Sequence, residues 1–258
     1  HKLVNDNYIA LIKPRAIFML VLSAFVAMIM ASSSVLISWR IFIIALIGVS
    51  LLACAANLVN QLLLLHCKTK NNGQTIPRGA IILVACLGIC STALLFFLVN
   101  PIVALLSLVT LCAYLIMLRI FSNHRSPYDI MITGLLSALF PLFGWTAVTG
   151  RLDASSLSLV AIIFVWGPPH IWSLAIYRYK EYKKANIPIL PITHGIDYAK
   201  TGILMYTLLL IAVAYLPFVM GMTGLIYLIG VTLLNGGFLY QAIQLYKKEQ
   251  QKQALHTF

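Results

Sequence analysis

The chain has 258 residues, 61% of them hydrophobic and 9% charged, with a mean hydropathy of +0.96. Soluble globular chains carry about 25% charged residues, so the composition excludes a soluble domain, and long apolar runs without alternation exclude a transmembrane barrel. The net charge of +12 would suggest nucleic acid in a soluble chain; here it points to a lysine and arginine bias across a bilayer, with room for an anionic ligand and no nucleic-acid partner.

Residues 1 to 15 are polar and basic, and Lys13-Pro14-Arg15 reads as an interfacial segment with proline at a helix start. The first apolar run is too long for a cleavable signal and leads into further spans. Spans are expected at about 16–37, 41–65, 79–99, 101–118, 129–148, 155–177, 201–219 and 222–244, each able to cross about 30 Å of hydrocarbon at 1.5 Å per residue. The expected architecture is an all-α polytopic transmembrane bundle of eight spans in one domain, 1–258. The polar tail after Tyr246 reads either as the lead into a ninth span or as a frayed end. Cys86 and Cys90, one turn apart in an apolar run, read as small apolar side chains rather than a metal or disulfide pair.

Short links alternate with long ones. Of the 18 lysines and arginines, all but Arg40 and Arg151 fall on the long-loop side. That side, with both termini, is expected to be cytoplasmic, in a bacterial inner (plasma) membrane ahead of a mitochondrial one.

Several polar groups interrupt this apolar pattern. Asn57 and Asn60 lie near the cytoplasmic end of the second span, where buried amides carry a cost unless satisfied. They serve either helix–helix hydrogen bonding or the mouth of a polar cavity. Lys68, Lys70 and Arg78 follow, as phosphate contacts or as an ordinary solvated loop. Arg125 lies in the next long loop, before Asp129, whose carboxylate suits a helix N-terminus.

The stretch from Phe164 to Pro191 is the most unusual. Pro168-Pro169 is expected to kink or restart the helix and to deliver His170 between Trp166 and Trp172. A satisfied core histidine is the alternative to a ligand contact or an acid/base role. Next come Arg178, Lys180, Glu181, Lys183 and Lys184. Glu181 is the candidate for a divalent cation on a phosphate-bearing substrate, with the lysines neutralising the remaining charge. Trp166 and Tyr177 offer ring faces to developing cationic charge.

The segments GWTAVTG (144–150), FVWGPPHIWSLAIYRYKEYKKANIPILP (164–191) and GIDYAK (195–200) with Tyr206 carry a specific pattern. Upstream, YIALIKPRAIF (8–18), KTKNN (68–72) and the HRSPYD loop (124–129) extend it over most of the chain. On these residues the chain resembles the protoheme IX farnesyltransferases, or heme O synthases, of the UbiA-type intramembrane prenyltransferase superfamily. The resemblance implies a nine-helix bundle with a central cavity open laterally to lipid. It implies transfer of the farnesyl group of farnesyl diphosphate to a vinyl group of heme B, giving heme O for terminal oxidases. It also implies Mg²⁺, held with the diphosphate by two acidic motifs on the cytoplasmic side.

The second motif resembles Lys180-Glu181-Tyr182, with Glu181 in place of an aspartate. The first is not matched. After Asn57 or Asn60 come Gln61, Leu64 and Leu65, Lys68-Thr69 resembles the family's Arg-Thr pair, and no acid lies between Asp6 and Asp129. The segment from Asn60 to Gly79 is also shorter than the family pattern. Together these readings give an expected catalytic set of Asn60, His170, Lys180 and Glu181, with Glu181 also the metal ligand. Asn57, Lys68, Arg125, Trp166, Arg178, Tyr182 and Lys183 would surround the substrates. Two expectations follow: a farnesyltransferase with a lysine-rich phosphate site, or a catalytically inactive homologue that binds heme or prenyl lipid as an assembly or accessory protein of a terminal oxidase.

Overall fold

The computed structural model describes residues 13–32, 38–69, 78–121, 134–184 and 189–247, without side chains at 63–69, 78 and 118–121. All regular structure among the described residues is helical: α1 (Pro14–Ser32), α2 (Trp39–Thr69), α3 (Arg78–Leu98), α4 (Pro101–Phe121), α5 (Phe140–Thr149), α6 (Ala154–Tyr177), α7 (Tyr179–Lys184), α8 (Leu190–Thr193), α9 (Ile196–Ala214), α10 (Leu216–Val219) and α11 (Leu225–Lys247). The chain divides into two compact units, one of His1–His124 with Leu139–Ser156 and one of Arg125–Ala138 with Leu157–Phe258.

In the first unit α2 is central and packs against α1, α3, α4 and α5. Lipid is as apolar as leucine, so membrane helices associate through close packing and buried hydrogen bonds rather than hydrophobicity. Both devices are present. Ala24, Ala27 and Ala31 line the buried face of α1, and a Cβ at Gly144 of α5 would collide with the Ala24 carbonyl. Ser91 Oγ of α3 donates to the Gly48 carbonyl of α2 at 2.7 Å. Asn100 starts α4 by accepting the Val103 N–H at 2.9 Å ahead of Pro101, while its amide donates to the Thr146 carbonyl of α5 at 2.9 Å.

In the second unit the C-terminal half of α6 is locked by an apolar cluster. Trp172, Ala175 and Ile176 meet Ile189 and Leu190 before and within α8, Ala199 and Ile203 of α9, and Ala242 and Leu245 of α11. Gly202 leaves room for the Trp172 indole, which also meets Tyr206 edge to face at 5.4 Å.

The membrane bundle is as expected, but the count of spans is not. Six described helices are long and apolar enough to cross a membrane, and Pro101–Met117 and Gly134–Thr149 are shorter apolar stretches. The expected 129–148 span is broken: a helical turn at 134–137 gives way to a turn at 138–139, and α5 restarts with Pro141 in its first turn. Proline suits a helix start and opposes continuation from the preceding turn. Conversely, α6 runs through Pro168 and Pro169 without a restart. The prolines remove only the N–H groups that would reach the carbonyls of Phe164 and Val165, a loss that membrane helices tolerate within protein. The place of a ninth span, after residue 247, lies outside the described residues.

Candidate functional site

The two asparagines of α2 have different surroundings. Asn57 is buried, and its Oδ1 accepts the backbone N–H of Lys13 at 3.0 Å. It therefore ties the entry of α1 to α2, the structural use of a buried amide. Asn60, one turn further on, has a buried Oδ1 with no hydrogen-bond partner among the described residues. A buried amide oxygen without a donor is costly, so Asn60 is the position of the pair where a ligand's donor or cation would lower the free energy. Lys68 continues α2 as helix, but its side chain, like Arg125 and residues 70–77, lies outside the described residues. The backbone is helical from Asn60 to Thr69.

In the second unit α6 presents two faces. One carries Trp172, Ala175 and Ile176 into the apolar cluster. The other carries Trp166 and His170 at i and i+4, a spacing that places side chains over one another. Their rings stack with centroids 4.4 Å apart and planes 16° from parallel. Ser173 sits in the same turn and donates to the Pro169 carbonyl at 2.7 Å.

After Tyr177 the polypeptide continues directly into α7, with Glu181 N–H bonded to the Arg178 carbonyl at 3.0 Å. Arg178, Lys180, Glu181, Lys183 and Lys184 are all exposed there, giving four cations around one carboxylate. Lys183 Nζ lies 5.7 Å over the Tyr179 ring. Tyr182 is half-buried against the apolar cluster. Its burial raises the phenol pKa above the ordinary value; Arg178 lowers it by less, and Glu181 adds a smaller rise.

Two groups escaped the sequence reading. Lys200, counted there only as a loop cation, is buried to 7% exposure, and its Nζ lies 3.6 Å from the fully exposed carboxylate of Asp197. Its neighbours Ala199 and Ile203 were the available signal, since they place that side of α9 in the core. Asp153 accepts Trp145 Nε1–H at 3.2 Å and the Ser156 N–H at 2.9 Å, joining the end of α5 to the start of α6.

The donors do not fit a two-motif acidic clamp for Mg²⁺. The chain has six acids, and among the described residues no three His, Cys, Asp or Glu side chains gather to hold a metal. Glu181 offers one carboxylate, and Asp197 is paired with Lys200. Chemically, the α7 region suits an anion better than a bare dication.

Residues 20–258 match the model of the UbiA prenyltransferase family. A protoheme IX farnesyltransferase 2 from Pseudoalteromonas atlantica is 40% identical over 273 aligned positions, covering 100% of this chain and 89% of that protein. A protoheme IX farnesyltransferase from Teredinibacter turnerae is 41% identical, with 98% and 84% covered. Among solved structures, one described under the biosynthesis of digeranylgeranylglyceryl phosphate synthase in membranes superposes with a TM-score of 0.76 at 17% identity, covering 97% of this chain and 90% of that one. A UbiA homologue from Archaeoglobus fulgidus, bound to DMAPP and Mg²⁺, superposes with a TM-score of 0.63 at 13% identity, with 93% and 86% covered.

Proposed function

We infer that this chain, which belongs to the UbiA prenyltransferase family and within it to the protoheme IX farnesyltransferases, transfers the farnesyl group of farnesyl diphosphate to a vinyl group of heme B, giving heme O. The observation that carries the reading is the identity of about 40% with farnesyltransferases over the whole chain. It favours catalysis over the inactive-homologue alternative.

The reaction requires the C1–O bond of farnesyl diphosphate to break, with the electron pair leaving on the diphosphate. The allylic cation is attacked by the vinyl π pair, which forms the new C–C bond. The resulting cation beside the porphyrin takes up water and releases a proton, leaving a hydroxyl. Each step moves charge through a low-dielectric interior, where preorganised groups count most.

We assign neutralisation of the departing diphosphate to Arg178, Lys180 and Lys183, with Arg125 proposed as a further cation. Charge-assisted bonds to phosphate oxygens are about twice as strong as neutral ones. Asn60, with its unpartnered amide oxygen, is assigned to a donor or cation that arrives with substrate. Asn57 supports it by holding the start of α1. Glu181 is the carboxylate that sets the net charge of the α7 cluster, and Tyr182 anchors that cluster to the apolar core. Trp166 offers its ring to cationic character.

The cytoplasmic placement of both termini and of the long loops rests on the lysine and arginine distribution. A bacterial inner membrane and delivery of product to a terminal oxidase complete the proposal. The test is incubation of purified protein with heme B and farnesyl diphosphate, with mass analysis of the heme. Lys180→Ala combined with Lys183→Ala should raise KM for farnesyl diphosphate; an unchanged KM refutes the assignment of the α7 cations.

A further inference from the structure

We propose that Asn235 of α11 and the Pro168–Pro169 step of α6 form a hydrogen-bonding site inside the bilayer, and that this site takes a neutral carboxyl group. On the reading that heme B is the acceptor, the group is a porphyrin propionic acid. The argument begins with an orphaned donor. Asn235 is 6% exposed, and its Nδ2 is buried without an acceptor among the described residues. It lies near the middle of a membrane-spanning helix, about 15 Å from either end at 1.5 Å per residue. Lipid headgroups are out of reach there, and an amide left unpaired in hydrocarbon is costly.

Orphaned acceptors lie at the same level. Pro168 and Pro169 remove the N–H groups that would reach the carbonyls of Phe164 and Val165. Two contacts set the register of α6 against α11. Ser158 Oγ donates to Met222 Sδ at 3.7 Å just before α11, and Trp172, Ala175 and Ile176 share their apolar cluster with Ala242 and Leu245. Counting along both helices from either contact brings Asn235 level with the turn between Val165 and Ile171.

The helix faces agree as well. Asn235 precedes Ala242 by about two turns, just as Val165, Pro168 and Pro169 precede Trp172, Ala175 and Ile176. Each therefore continues the face that its helix presents to the cluster, and Val165, Pro168 and Pro169 are themselves buried. A Cβ at Gly167 meets nothing within 4 Å among the described residues, which leaves room for a group beside the step.

The chemistry of the pair selects the ligand. The site offers a donor, the Asn235 amide, and two acceptors, the backbone carbonyls. A carboxylate has no proton for the carbonyls, and an ammonium has no lone pair for the amide. A neutral carboxyl satisfies both, accepting from Nδ2 and donating its O–H to a backbone oxygen, and burial in low dielectric favours that neutral form. Heme B carries two carboxyls on the edge of the macrocycle opposite its vinyl groups. A vinyl held where the diphosphate departs, near the α7 cations, turns that edge inward along α6, where about 15 Å of helix rise separates Pro168 from Arg178. The same orientation keeps the propionates from competing with diphosphate for the lysines. Asn235 thereby sets which porphyrins are accepted and which way round they lie.

The experiment titrates the full chain in detergent with ferric heme B and with its dimethyl ester, which keeps the iron and both vinyl groups but has no O–H to donate. Heme B should bind about tenfold more tightly than the diester, the scale of one or two buried hydrogen bonds. Asn235→Leu should weaken heme B toward the diester and leave the diester unchanged. Pro168→Ala, which returns an N–H to the Phe164 carbonyl, should narrow the preference in the same way, and it carries the test if the leucine variant does not fold. KM for the two porphyrins should follow the same pattern, with KM for farnesyl diphosphate unchanged. A preference for the acid that both variants retain, or no preference in the wild type, overturns the proposal while heme O formation stands; the site then holds water only. Absence of heme O from a wild-type chain whose preference is lost in Asn235→Leu overturns the parent reading and supports the site.

Discussion

Replacing Asn57 and Asn60 by alanine, one at a time, separates a structural amide from a functional one. Asn57 Oδ1 accepts the Lys13 N–H at 3.0 Å; alanine there strands that donor, which costs about 1 kcal/mol for a partly buried bond. Asn60 Oδ1 is buried without a partner, an arrangement that itself costs roughly 1–3 kcal/mol. Alanine removes that penalty and adds roughly 0.5 kcal/mol of helix propensity, against the small loss of packing. Asn60→Ala should therefore be at least as stable as wild type, and Asn57→Ala less so, with a gap of about 2 kcal/mol, or thirtyfold in the folded-to-unfolded ratio. Turnover should follow the opposite order: Asn60→Ala loses heme O formation, while Asn57→Ala retains it per folded molecule. Thermal unfolding in detergent beside turnover normalised to folded protein reads both effects. Equal destabilisation of the two variants with full activity in Asn60→Ala would refute the assignment.

Gly144→Leu forces α1 and α5 apart, because even a Cβ meets the Ala24 carbonyl; a stability loss of about 1–3 kcal/mol is expected from overpacking, read as a lower unfolding midpoint. Asp153→Ala removes the acceptor of Trp145 Nε1–H and of the Ser156 N–H, so stability should fall by about 1 kcal/mol with turnover per folded molecule unchanged. Chelation of Mg²⁺ should reduce turnover less than Lys180→Ala combined with Lys183→Ala, since the described residues offer more cations than acids at α7. The Tyr182 phenol is raised above 10.0, chiefly by burial. A raised acid contributes stability that is full below its unfolded pKa and is lost as pH climbs through the folded one. Unfolding should therefore show an alkaline loss above about pH 10 that Tyr182→Phe diminishes.

The helical membrane class was legible because apolar runs of span length have few other homes. The break before α5 was not, because residues 134–149 are apolar on both sides of it and hydropathy is blind to a turn among buried residues. Pro168 and Pro169 do not restart the helix: each removes one N–H, yet α6 runs through both, with Trp172, Ala175 and Ile176 packed into the apolar cluster beyond them. The Trp166–His170 stack was readable from its i, i+4 spacing. Asn57's partner lies 44 residues away, and the burial of Lys200 depends on tertiary packing around α9, so neither could be read from local pattern. Motif matching found Glu181 and its cations, and the shortage of acids along α2 was plain from the sequence itself.

The most direct test of the account is a single turnover assay with the purified chain, heme B and farnesyl diphosphate, followed by mass analysis of the extracted heme. The account predicts a product equal to heme B plus one farnesyl and one hydroxyl group, with release of diphosphate. Unmodified heme B recovered from a folded chain that binds both substrates would contradict it.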